Sequence, residues 1–162
     1  MARDIFRLEW DGLDQLVRIM EEMNDEKDAI IIEEYTRFGL LVEEGTKALA
    51  PHDKGDLEDT IHSEPAKRDG DGISTEVYVG SEYGVYQHEL VPRSGEHPKY
   101  ENGAKFPGYY KDGKGARTRS KPGWRGEEPG RKYLERAVEL TDDDFTEMNE
   151  RALDRITQKW GG

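Results

Sequence analysis

Two groups of histidines and carboxylates carry the residue types from which a metal-dependent site could be built: His52, Asp53 and Asp56 within one turn, and His88, Glu89 and His97 around another. As ligands, either group would make the protein a hydrolase, yet neither spacing matches a strong metal motif. The competing reading of the first group is a turn. Asp53 and Asp56 would fix it through side-chain to backbone hydrogen bonds, and Gly55 would supply a conformation that other residues resist. His88 would then pack or bond at a sheet edge. The turn is the reading adopted, with no metal and no cofactor. With no cysteine in the chain, disulfides, thiolate metal sites and cysteine nucleophiles are excluded. There is no Gly-x-Ser-x-Gly elbow, phosphate-binding loop or dinucleotide fingerprint, and Gly113-Lys114-Gly115 is expected to lack a preceding strand and a following helix. The expectation is a protein that is not an enzyme.

Composition bounds the scaffold. At 162 residues the chain reads as one domain, 1–162, in which a few elements must supply the core, since 33% of residues are hydrophobic and 37% charged. No stretch is apolar for long enough to span a bilayer, and Met1-Ala2-Arg3-Asp4-Ile5-Phe6 lacks a signal-peptide run, so a cytosolic protein with no membrane partner is expected. The net charge of -12 argues against binding nucleic acid by covering its phosphates. The charge is uneven. Residues 1–90 hold nine basic and 23 acidic side chains and residues 126–162 six and ten, whereas residues 91–125 hold nine basic and three acidic, a surplus of six positive charges.

The elements follow from periodicity. Ile5 to Trp10 reads as a short strand ending at Asp11-Gly12, and Leu13, Leu16, Val17, Met20 and Met23 keep helical spacing. A longer helix is expected from about Glu26 to Leu49, with Ile31, Tyr35, Phe38, Val42 and Leu49 on one stripe, Asn24 or Asp25 as its cap and Ala50-Pro51 as its end. Thr60–Glu64 and Ser74–Gly80 read as a hairpin around the loop Lys67–Gly72. Residues 91–129, rich in proline and glycine, form an insertion expected to have no stable structure of its own. Helical spacing returns at Leu134, Ala137, Val138, Phe145, Met148, Ala152, Ile156 and Trp160. Thr141-Asp142-Asp143-Asp144 restarts or kinks this helix, Thr141 accepting from the next turn. The fold class is α+β: a long N-terminal helix and a C-terminal helix packed on a small antiparallel sheet, with a long basic loop.

Three segments carry a resemblance. Ala50-Pro51-His52-Asp53-Lys54-Gly55-Asp56-Leu57-Glu58-Asp59-Thr60-Ile61 closes a helix, turns on glycine and leads by a Leu into a strand. Val77-Tyr78-Val79-Gly80 is followed by Tyr83-Gly84-Val85-Tyr86-Gln87-His88-Glu89, a strand and an aromatic-rich turn. Gly130-Arg131-Lys132-Tyr133-Leu134-Glu135-Arg136-Ala137 enters the last helix on a Tyr-Leu pair. In this order they resemble the phage tail-component family, the tail-completion and head-tail joining proteins of long-tailed bacteriophages. The chain departs from the family in the stretch 98–129, where many relatives have a short link. It departs again at Gln87-His88-Glu89-Leu90, where many have Glu-x-Gly-Thr.

The resemblance implies a virion structural protein at the head-tail joint, made in the host cytoplasm and acting as a tail terminator or neck component. It would form a homo-oligomeric ring with tail-tube and head-connector proteins as partners, DNA passing through the lumen without specific binding. An acidic wall suits such a conduit, because it repels phosphate over about 8 Å at physiological salt. Carboxylates that merely keep the subunit soluble are the competing reading. Expected partner contacts are Tyr83, Tyr86, Gln87, His88 and Glu89 on the turn, with Tyr109, Tyr110, Arg117, Arg119 and Trp124 on the basic loop. With its interleaved aromatics that loop either clamps nucleic acid, making the chain a nucleic-acid-binding module through residues 98–129, or reaches a neighbouring subunit and orders there.

Overall fold

A computed structural model describes residues 25–52, 55–70, 72–80, 84, 88, 96–101, 104–111 and 116–160. The strand and helix expected before residue 24, and Asn24 as a cap, lie outside these residues. Helix α1, Asp25–Leu49, is the axis of the fold. Its expected stripe is buried throughout, Ile31, Tyr35, Val42 and Leu49 completely and Phe38 nearly so. The helix closes on the Ala50 N–H bond to the Thr46 carbonyl (2.9 Å), and Pro51, with no N–H of its own, does not continue it.

Beyond the turn a short 3-10 segment, Glu58–Thr60, leads into β1, Ile61–Ser63, which pairs antiparallel with β4, Val77–Val79. Register partners Ile61 and Val79 are both buried, as is Val77, whereas His62 and Tyr78 share the other face, their rings 6.0 Å apart. The expected Lys67–Gly72 loop is a second small ladder. Here β2, Lys67–Asp69, pairs with β3, Gly72–Ser74, and the chain turns at Gly70 with a φ of 61°. A bond from the Thr75 hydroxyl to the Glu64 carbonyl (2.7 Å) holds the bend between the ladders.

Within the folded chain the insertion, for which no stable structure in isolation is expected, carries secondary structure. It contains the antiparallel hairpin β5, Glu96–Glu101, and β6, Ala104–Lys111, followed by helix α2, Ala116–Ser120. The sequence between register partners Glu101 and Ala104 is Asn-Gly, the strongest short-range hairpin signal. Gly113-Lys114-Gly115 therefore does lie between a strand and a helix, contrary to expectation. Gly113-Lys114-Gly115 itself lies outside the described residues.

Two helices close the chain: α3, Tyr133–Glu139, and α4, Asp142–Trp160. The expected break is where Thr141 stands, but its mechanism is reversed. The hydroxyl of Thr141 donates back to the Ala137 (2.9 Å) and Val138 (3.0 Å) carbonyls, satisfying the end of α3 rather than capping α4. The acidic start of α4 does match the positive end of its dipole. Both helices pack on α1. Leu134, Ala137, Met148, Ala152 and Ile156 are buried, and Phe145 lies against Tyr35 and Phe38 at 6.0 and 5.4 Å between ring centroids. The architecture is α+β, with helices packed on small antiparallel ladders. Among the described residues no helix is long and apolar enough to cross a membrane.

Candidate functional site

Segments far apart in sequence meet at the C-terminal end of α1. The Gly130 N–H bonds the Leu49 carbonyl (2.8 Å), the Lys132 N–H bonds the His88 carbonyl (2.9 Å), and the Tyr133 hydroxyl donates to the Gly84 carbonyl (2.6 Å). The His88 ring meets Tyr133 edge-on at 5.0 Å. A side chain at Gly84 would collide with Val79 and Leu57, so the backbone approach there requires glycine. Leu49, Ala50, Leu57, Tyr133 and Leu134 complete a buried cluster, and burial pushes the Tyr133 hydroxyl well above its ordinary pKa, keeping it a donor. Parts of all three family-like segments are thus in this one junction.

Gly55 has the expected positive φ, 92°. The turn is held by main-chain bonds from Asp59 N–H to the Gly55 carbonyl (3.1 Å) and Thr60 N–H to the Leu57 carbonyl (3.0 Å), and by His52 Nδ1 against Glu58 Oε1 (2.7 Å). Asp56 is exposed, and Asp53 lies outside the described residues. The pairing of His52 with Glu58 was not legible in the spacing. Among the described residues no group of three or more His, Asp or Glu side chains could hold a metal ion.

The basic segment is folded back onto this end of α1. Lys121 Nζ donates to the Lys47 and Ala50 carbonyls (2.7 Å each) and faces Glu58 Oε1 (3.2 Å), serving as the C-terminal cap of α1. Burial lowers its pKa, and Glu58 opposes that shift. The Thr118 hydroxyl both accepts from the His52 N–H (2.9 Å) and donates to the His52 carbonyl (3.2 Å). Trp124 lies so close to Gly45 that a Cβ there would stand 2.5 Å from the ring. Arg125 stacks over that ring at 4.6 Å and pairs with Asp144. A shallow cleft of about 550 Å³ remains between α1 and α2, lined by Lys47, His52, Glu58, Arg117, Ser120 and Lys121.

Of the expected partner contacts, His88 is 1% exposed and packs inside the junction against Tyr133. Trp124 is half-buried and packs against the core of its own chain. Arg117 and Arg119 are exposed on α2. Tyr109 and Tyr110 are on β6, Tyr110 opposite His97. Tyr83, Tyr86, Gln87 and Glu89 lie outside the described residues. No known protein family, characterised protein or solved structure matches the chain.

Proposed function

We propose that the chain is a virion structural protein, a subunit of a ring at the phage head-tail joint that closes or joins the tail by assembling rather than by catalysing. The observation that carries this reading is the junction: three separated segments, singled out by their resemblance to tail-completion proteins, contribute Ala50 and Leu57, Gly84 and His88, and Gly130, Tyr133 and Leu134 to one packed centre. Segments that belong to one module are expected to meet in this way. The net charge of -12 suits a conduit through which DNA must pass without being held. Tail-tube and head-connector proteins would be the further partners.

Disrupting the gene in its phage or prophage and imaging the lysate by electron microscopy tests the reading. Separated heads and tails, or tails of uncontrolled length, restored to normal by the intact gene, are expected. Normal infectious particles would overturn it. The competing nucleic-acid module requires salt-sensitive DNA binding that is lost without residues 98–129. Lys121, Trp124 and Arg125 count against it, since each is already engaged within its own chain.

A further inference from the structure

The two halves of α4 are fastened to α1 by different means. The first half brings large apolar groups. Phe145 lies against the Tyr35 and Phe38 rings, Met148 is buried, and Arg125 ties Asp144 from outside. Asn149 ends this stretch, accepting a hydrogen bond from the Tyr35 hydroxyl at 2.9 Å. Beyond it, among the described residues, only Ala152 and Ile156 are buried, and an alanine removes little apolar area from water.

Charge takes over where apolar contact thins. Glu34 of α1 is 1% exposed, and a carboxylate so placed has to be paired. Arg155 reaches it at 2.6 Å with one terminal nitrogen and Glu33 at 2.9 Å with the other, and Arg151 reaches it at 3.4 Å. The Arg155 hydrogen bond holds the Glu33 carboxyl below its ordinary range. Lys159 adds Glu26 at 3.2 Å. Arg151, Arg155 and Lys159 follow one another at steps of four residues, which sets all three on one side of α4. Arg37, on α1 itself, lies 3.8 Å from Glu34, so that carboxylate keeps a cation beside it when α4 is lifted away.

We infer that the second half of α4 is a releasable end: an ionic latch centred on Glu34 and Arg155 holds it on α1, and it opens by local unfolding from Trp160 back to Asn149 while the first half stays in place. Segments that open separately from the rest of a fold are those with few buried apolar contacts, which describes residues 150–160 and not Phe145 and Met148. The latch is effective because removing one partner of a buried charge pair costs far more than losing a pair in water. It is also local, since every contact it makes lies beyond Asn149 on α4.

Amide hydrogen exchange of the full chain, read by mass spectrometry on peptides that separate residues 142–149 from 150–160, tests the latch. In the wild type the second half is expected to exchange at least about tenfold faster than the first, relative to the unfolded rates. Arg155→Gln is expected to accelerate the second half by a further tenfold or more and the first by less than about twofold. Arg151→Gln, which loses the longer contact, is expected to act in the same direction by about two- to tenfold, and it decides the matter should Arg155→Gln fail to fold. Arg125→Gln, at the other end of α4, is expected to leave the second half unchanged. Equal protection of both halves in the wild type, or equal acceleration of both by an arginine substitution at 151 or 155, would mean that α4 leaves α1 as one body. No acceleration from either substitution would mean that apolar contact alone holds the helix. Each of these results would overturn the inference.

Discussion

The two ends of α1 are held by different physics. At its N-terminal end the ties include ion pairs in water: Lys159 to Glu26 at 3.2 Å, both more than half exposed, and Arg68 to Asp28. At its C-terminal end Leu49 and Ala50 are fully buried, Lys121 fills the last carbonyls, and Tyr133 is locked under Gly84. Exposed pairs contribute little, whereas a buried aromatic contributes several kcal/mol. Among the described residues, the candidate cleft is thus built at an end of the helix that is tied by buried contacts.

Removing the largest buried group at the strong end should have the largest effect. Tyr133→Ala is expected to cost about 3–5 kcal/mol in chemical unfolding, enough to threaten folding. Tyr133→Phe, which leaves the Gly84 carbonyl without its donor, is expected to cost about 1–3 kcal/mol. Gly45→Ala comes next. Alanine favours a helix interior by about 1 kcal/mol, but here its Cβ overlaps the Trp124 ring, and overpacking costs about 1–3 kcal/mol. A net loss of stability with a red-shifted Trp124 emission, read in a chain whose other two tryptophans are Phe, is expected. A stabilised variant would show that the basic segment is not seated on α1.

Smaller effects belong to the exposed ties. The Arg125 hydrogen bond holds the Asp144 carboxyl below the usual aspartate range, the desolvation opposing it being weaker. A carboxylate whose pKa is depressed by folding stabilises above its unfolded pKa, and that contribution is lost as pH falls through the lowered folded value. Wild type should therefore exceed Asp144→Asn by no more than about 1 kcal/mol at neutral pH, the two converging in acid. Lys159→Ala, at the weak end, should shift stability by less than about 0.5 kcal/mol. A loss there matching that of Tyr133→Phe would abolish the contrast between the ends.

What could be read in the sequence was what periodicity encodes. The α1 stripe, the Tyr133-Leu134 entry and the buried positions of α4 follow from helical spacing, and the β1–β4 pairing from alternation between turn signals. Residues whose roles depend on distant partners were not legible. Glu34 looks like one more surface carboxylate until Arg151 and Arg155 arrive from α4 to neutralise it in the core. Gly45 is a glycine inside a helical pattern, a signal of close approach, but the pattern does not name Trp124 as the approaching group. The hairpin of residues 96–111 was announced by Asn102-Gly103 and hidden by the surrounding prolines and glycines. Lys121 as a helix cap has no local signature, since the carbonyls it serves are more than seventy residues earlier.

The central claim is a place in the particle, and gold labelling of an epitope-tagged chain in purified virions tests it most directly. The expected result is label confined to the joint between head and tail. Particles that carry no label, or carry it over the capsid shell, would contradict it.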